Sequence, residues 1–314
     1  MGYRVTLGAL LLGAATACSQ HTGQTPAPGA ATATTAAAAA AAPAVAPPGA
    51  GPRIVMSPDF VHIEYRLYGH GEPAVLLVHG WACDADYWQA QIEPLAAHYT
   101  VVAMNLAGHG ASGSNRSDWS IANYARDVAA VAHDIPNRQL VLVGHSMGGA
   151  VVLAASPLLG ERVIGIVAVE ALRTVGLPPL KARDIEQRVA PFRADFIGAT
   201  RRMVTSSLFP KDANHLLVQK VAYDMSLEPA AVAVPSMQAL LAMDFAPLLP
   251  AIHVPVYAIN SDLAPTDAVR IRKALPDFTL DVLGHSHFPM LETPERFNVL
   301  LLKDVGVLAA RAAH

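Results

Sequence analysis

From Arg53 onward the chain alternates between two hydrophobic patterns. The first is a short run with no polar face: "AVLLVHG", "YTVVAMNLAGHG", "QLVLVGHS", "VIGIVAVE", "VPVYAINSD" and "FTLDVLG". Aliphatic, β-branched runs of this kind predict strands buried on both sides, as in a parallel sheet. The second pattern, in "DYWQAQIEPLAAH" and "SIANYARDVAAVAHD", repeats apolar residues at helical spacing. Strand and helix therefore take turns, which predicts a mostly parallel sheet with helices on both faces. Ahead of these, "RIVMSPDFVHIEYRLYG" reads as two antiparallel strands. The apolar runs end in Gly, Asn, Asp, Glu, His or Ser, and ligands of such sheets bind beyond the carboxyl ends of the strands.

Residues 1–52 follow neither pattern. A single Arg, an apolar run from Val5 to Leu12 and then small residues up to Cys18 have the layout of a signal peptide over 1–17. The run is too short to span a bilayer. The segment "ATAC" resembles a bacterial lipobox, with Ala15 where Leu is usual, and makes Cys18 the expected lipidated first residue of the mature protein. Ser19 resembles an outer-membrane sorting signal, so the expected location is the cell envelope, as an outer-membrane lipoprotein facing the periplasm or the surface. An ordinary cleaved signal would instead give a secreted protein. Residues 18–52 are mostly Ala, Pro, Thr and Gly, with no charged or aromatic residue before Arg53. Such a segment cannot bury enough apolar surface to offset its ordering entropy and is expected to be a tether.

Composition narrows the classes further. The whole chain is 53% hydrophobic and 15% charged with a net charge of −3, and no basic stripe suggests nucleic acid as a partner. Only two cysteines occur; with Cys18 lipidated or removed, Cys83 has no partner and no disulfide is expected. Residues 53–314 suit one α/β domain with an insertion. Between Thr174 and Met225 the pattern loosens into about three amphipathic helices, after which "SMQALLAMDFAPLLPAI" reads as a return to the core layer.

The candidate chemistry centres on "LVLVGHSMGGAVV", where a strand gives way to a helix at Ser146. A sharp strand-to-helix turn needs small neighbours, which Gly144, Gly148 and Gly149 supply. It lifts the hydroxyl to a helix N-terminus, whose free N–H groups can stabilise an oxyanion. This is the G-x-S-x-G nucleophile elbow. A serine needs a base, and the base an orienting acid. Downstream, Asp262 ends a strand and His285 and His287 follow the next one, so the order Ser, Asp, His is kept. Asp267 and Glu170, the latter at the end of "VIGIVAVE", are rivals for the acid; position favours Asp262. His79, His109 and His145 match no zinc-ligand spacing, and no phosphate-loop Lys follows "GHG", so neither metal nor cofactor is expected.

Four strings, "VHGW", "NLAGHGASG", "GHSMGG" and "GHSHFPMLETPE", resemble the α/β-hydrolase superfamily, in particular its esterase and haloperoxidase-like subset. The resemblance covers roughly Arg53 to the C-terminus, with a poorly matched middle. It implies an eight-stranded, mostly parallel sheet with helices on both faces and a small helical cap at about 174–225. It further implies His287, directly before Phe-Pro, as the base rather than His285. The oxyanion hole would use the backbone N–H groups of Trp81 and Met147. The loop histidines would be structural and Cys83 a packed residue. The implied function is serine hydrolysis of small or medium carboxylic esters through Ser146, His287 and Asp262. Enol-lactone hydrolysis, carbon–carbon bond hydrolysis and perhydrolysis use the same residues. A non-catalytic ligand-binding lipoprotein on this fold, or a purely structural envelope protein, belongs to a different class. The partners expected are a small ester and, through lipid, a membrane; oligomeric state is not legible.

Overall fold

The computed structural model describes residues 51–313. The expected signal peptide, the lipidated Cys18 and nearly all of the expected tether lie outside the described residues. Eight strands form one sheet: β1 (Arg53–Met56), β2 (His62–Tyr68), β3 (Ala74–Val78), β4 (Thr100–Met104), β5 (Leu140–His145), β6 (Val163–Val169), β7 (Val256–Asn260) and β8 (Phe278–Val282). Their spatial order is β1-β2-β4-β3-β5-β6-β7-β8. As the first segment implied, β1 and β2 pair antiparallel, and β2 joins β4 antiparallel. Every other pairing is parallel.

The runs without a polar face are the central strands because both sides of them are covered. All five residues of β3 are fully buried, as are Leu140–Val143 of β5. Fully burying one such aliphatic side chain contributes about 1.5–3 kcal/mol. The α-helices of the described residues are α1 (Gln89–Ala96), α2 (Ile121–Asp134), α3 (Met147–Leu159), α4 (Ala182–Ala194), α5 (Phe196–Met203), α6 (His215–Ser226), α7 (Ala230–Leu241), α8 (Ala268–Ala274), α9 (Pro289–Glu292) and α10 (Pro294–Ala312), of which α3 and α10 pack on the central strands β5 and β6. Helix α2 packs on α3, and α1 on α10; β5 and β6 lie between α3 and α10. Ser120 caps α2 by accepting from Asn123 N–H at 3.3 Å, which fixes the start that the periodicity predicted. Among the described residues no helix is long and apolar enough to cross a membrane.

Between β6 and β7 the chain leaves the sheet and builds a cap. It comprises α4 to α7, with a π-helical turn over Val204–Leu208. The insertion runs further than the sequence pattern indicated. Helix α7, whose second half opens the stretch read as a return to the core layer, packs on α4 and also touches α2. Its Ala233 carbonyl accepts from Trp81 Nε1 at 2.6 Å. The apolar stretch there is buried by the cap and by Trp81, so hydrophobicity alone did not separate it from the core. Phe192 and Phe196 pack edge-on against the same indole, with ring centroids 5.7 and 6.0 Å away. One aromatic side chain from the β3 loop thus pins the cap to the sheet.

Candidate active site

Ser146 stands between β5 and α3 with φ +51° and ψ −113°. A non-glycine residue there is strained, at a cost of order 1–3 kcal/mol. Two close approaches hold it. A side chain at Gly144 would strike the Gly148 carbonyl, and one at Gly148 would strike the carbonyls of Val78 and His79. The Ser146 N–H is tied to the Val169 carbonyl at 2.8 Å, so the turn is locked to the neighbouring strand β6. Met147 opens α3, and its N–H therefore belongs to the first turn, whose donors have no acceptor within the helix. Trp81, in the loop after β3, lines the same cavity as Ser146.

That cavity has a volume of about 530 Å³ and lies between the carboxyl ends of the strands and the cap. Its walls include Ser146, His287 and Glu170 from the sheet side. From the cap, Met203, Met225 and Met237 line it. Phe192 and Phe196 pack on Trp81, and Phe209 stacks on Phe288 at 5.5 Å. A second surface depression, bordered by Glu72, Asn137 and Arg162, opens beside the segments that enter β3 and β5, at the other end of the strands, and holds none of these groups.

The two histidines after β8 are sorted by the bend of their loop. His287 is 7% exposed and faces the cavity, whereas the His285 side chain is 71% exposed. An extended chain would have put both on one side. Here Gly284 takes φ +76° and the backbone bends through 285–287. The bend is held from three sides. Glu292 Oε2 accepts from the N–H groups of His285 and Ser286 at 3.3 and 3.2 Å. The His287 N–H donates to the Leu208 carbonyl of the π-turn at 2.8 Å, and the His287 carbonyl accepts from His145 Nε2 at 2.7 Å.

The acid beside His287 is Glu170, not Asp262. His287 Nδ1 donates to Glu170 Oε2 at 3.1 Å, and both side chains are buried. This leaves His287 Nε2 with its lone pair, the nitrogen a base must offer. Asp262, expected to face the base, instead binds His285 Nδ1 at 2.8 Å on the surface, with its side chain 57% exposed. The reason is geometric. The chain bend turns His285 outward to meet Asp262, and β6 ends one strand closer to β5, so its terminal Glu170 reaches the inward-facing ring. Asp267, the other rival, caps α8 through the Arg270 N–H at 2.9 Å.

Glu170 is built in with unusual completeness. It takes φ +52°, a second strained non-glycine residue at a strand end. Arg173 grips its carboxylate with two nitrogens at 3.0 and 2.8 Å, and the Ser261 N–H donates to Oε1. Arg173 is itself fixed by the carbonyls of Ala264 and Ser261, both at 3.2 Å. Burial pushes the Glu170 carboxyl up, but the hydrogen bonds and charge of His287 and Arg173 outweigh it and hold it well below the usual carboxylate range. Arg173 was not singled out from the sequence. Its signal was only the i, i+3 spacing from Glu170, common on any surface helix.

The remaining histidines hold loops together. His79 Nδ1 donates to the Gly80 carbonyl at 2.8 Å while its Nε2 accepts from Leu106 N–H at 3.0 Å. His109 Nδ1 donates to Ala107 at 3.0 Å. Burial lowers the basicity of His109 to about 4 and, with His287 nearby, of His145 to about 3, so both are neutral. Asn105 accepts from Ala85 N–H at 2.8 Å and donates to Glu64, which ties the β4 loop to β2 and to the loop after β3. Cys83 is buried with its thiol on the Trp81 carbonyl at 3.4 Å, and burial pushes its pKa well above the usual value. A thiol so held is a poor nucleophile. Among the described residues no group of three or more His, Cys, Asp or Glu gathers as a metal site.

Comparison with known proteins identifies the family and the fold. A family model described as "Alpha/beta hydrolase family" matches residues 75–299. The chain is 25% identical over 245 residues to the pimeloyl-[acyl-carrier protein] methyl ester esterase of Edwardsiella ictaluri, covering 74% of this chain and 93% of that protein. It is 35% identical over 111 residues to the dihydrolipoyllysine-residue acetyltransferase component of the acetoin cleaving system of Cupriavidus necator. That match spans 35% of this chain and only 30% of that protein's length. Among solved structures, a thermophilic esterase from Thermogutta terrifontis superposes with a TM-score of 0.73 at 21% identity, over 82% of this chain and 99% of that one.

Proposed function

Because the chain belongs to the alpha/beta hydrolase family, we propose that it is a serine hydrolase of carboxylic esters that works through Ser146, His287 and Glu170. The observation that carries this reading is the buried Glu170–His287 pair, which leaves the base nitrogen free in the cavity that Ser146 lines. His287 takes the Ser146 proton as Oγ attacks the ester carbonyl, and returns it to the leaving alkoxide. Glu170 holds the imidazole tautomer and stabilises the imidazolium as it forms. The N–H groups of Met147 and Trp81 receive the oxyanion. Water then releases the acid by the reverse proton path. The substrate is a small or medium ester, since the cavity of about 530 Å³ has more apolar than polar lining. The mature protein is membrane-tethered through lipid on Cys18, so Cys18→Ser would release it from the membrane fraction; unchanged retention would reject the anchor.

A serine-reactive phosphonate tests the chemistry. The adduct is expected on Ser146 by peptide mass spectrometry, and Ser146→Ala should lower kcat by roughly 10³–10⁶-fold with the fold intact. An adduct on Cys83, or an active Ser146→Ala, would reject the mechanism.

A further inference from the structure

The charged groups of the cavity wall do not cancel. Three guanidinium groups line it, Arg173, Arg188 and Arg270, with two carboxylates, Glu170 and Asp267. Each carboxylate already has its arginine. Glu170 is gripped by Arg173, and Asp267 lies 3.6 Å from Arg270, whose guanidinium also donates to the carbonyls of Arg173 and Val175. Arg188 is left over. It stands on α4, half-buried, and among the described residues it has no carboxylate within ion-pair distance and no hydrogen-bond acceptor. The contrast on the same helix is plain: Arg193 is held by Glu186 and by Gln238 of α7.

The cap side of the same cavity also carries the apolar side chains of Leu180, Met203, Met225, Met237 and Leu240. Methionine-rich walls adapt to flexible chains. A partly desolvated cation in such a wall lacks its counter-ion, and a cleft of one sign draws in the opposite charge. Ser146 is at the floor on the sheet side, and Arg188 is on the cap.

We propose that Arg188 binds an anionic group at the far end of the substrate. The substrate class is then the monoester of a medium-chain dicarboxylic acid, with the ester at Ser146, the methylene chain along the methionines and the free carboxylate on Arg188. This deepens the serine-hydrolase reading and rests on it for the placement of the ester. Hydrolysis adds water across the ester and yields the dicarboxylate and the alcohol.

The test separates binding from turnover by using the Ser146→Ala protein. Monomethyl suberate and dimethyl suberate are titrated calorimetrically into Ser146→Ala alone and into Ser146→Ala carrying Arg188→Gln or Arg188→Lys. The half-acid is expected to bind roughly 10- to 100-fold tighter than the diester, the ratio that a charge-assisted hydrogen bond supplies. Arg188→Gln should bring the two affinities together, Arg188→Lys should restore part of the preference, and added salt should shrink it. Circular dichroism confirms that the variants are folded. A ratio near one in the Ser146→Ala parent, no binding of either compound, or a preference that survives Arg188→Gln would overturn the proposal. Failure of the wild-type protein to hydrolyse any ester would instead reject the catalytic reading, because the affinities are measured without turnover.

Discussion

Replacing Glu170 by Gln tests the site most sharply, because it keeps the size of the side chain and removes its charge. Every polar contact of the Glu170 carboxylate is a donor: His287 Nδ1–H, two Arg173 nitrogens and the Ser261 N–H. A glutamine offers one acceptor oxygen and an NH₂ that must face donors. If the NH₂ faces His287, Nδ1 must become the acceptor, the proton moves to Nε2, and the base is lost. If the oxygen faces His287, the NH₂ meets Arg173 and Ser261, and the imidazolium has no anion beside it. Either way kcat/KM should fall by about 10³–10⁴-fold, about 4–5 kcal/mol in the barrier, in line with the loss when a triad acid becomes an amide. Asp262→Asn loosens only the surface pair with His285 and should stay within about threefold of wild type, as expected for an exposed ion pair. The assay is kcat/KM on one small aryl ester for wild type and both variants, with thermal unfolding as the folding control. If Asp262→Asn is the dead enzyme, or Glu170→Gln keeps a tenth of the activity, the assignment of the acid is wrong.

The same substitution has a signature in stability. The folded-state carboxyl of Glu170 lies below its ordinary value of 4.5. Its contribution is therefore present above that pH and lost as pH falls toward the folded value. Glu170→Gln should flatten the acid limb of the wild-type stability profile below pH 4.5, although it costs stability at neutral pH by leaving Arg173 short of its anion.

The other predictions concern the histidines and a cap carboxylate. His287→Ala should nearly abolish ester hydrolysis, while His285→Ala should keep most of it; the reverse outcome in a side-by-side assay would move the base by two residues. Glu228, just after α6, is pushed up to about 7 by burial and by the Asp84 carboxylate. A raised carboxyl stabilises the fold below its unfolded value and loses that contribution as pH rises through about 7. Glu228→Gln should therefore gain stability above pH 8, by at most about 3 kcal/mol, and gain none at pH 4. Urea unfolding at the two pH values measures the difference, and equal gains at both would refute the account.

How much of this was legible beforehand differs by level. The sheet was legible because its strands are runs with no polar face, the pattern of a parallel sheet covered on both sides. The elbow at Ser146 was legible because its constraint is local: the glycines that permit the turn sit next to the serine. The stretch from Ser236, which begins inside helix α7, reads as core layer for a physical reason. Ala230–Leu241 is as apolar as a core helix because cap, Trp81 and cavity surround it, and hydropathy does not say which layer does the burying.

The acid shows where sequence order stops being informative. Asp262 and Glu170 both end strands of the right kind, and both precede His287 in the chain, so order and residue type admit either. What separates them is the path of five residues after β8. Gly284 and the Glu292 carboxylate bend that path so that His285 turns outward and His287 inward. Once that happens, Asp262 is left with the outer ring, and the end of β6 is the position that meets the inner one. Arg173 completes the choice, since a buried carboxylate with a bidentate partner keeps its charge where a solitary one would not. The decision between the two acids is thus made by a loop bend and an arginine, neither of which is one of the three residues that the family motif draws attention to. A corollary can be tested: Arg173→Met should lower kcat without abolishing it and raise the pH at which the Glu170 carboxyl titrates, moving the acid limb of the activity profile upward. An unmoved acid limb in Arg173→Met would show that His287 alone keeps Glu170 charged.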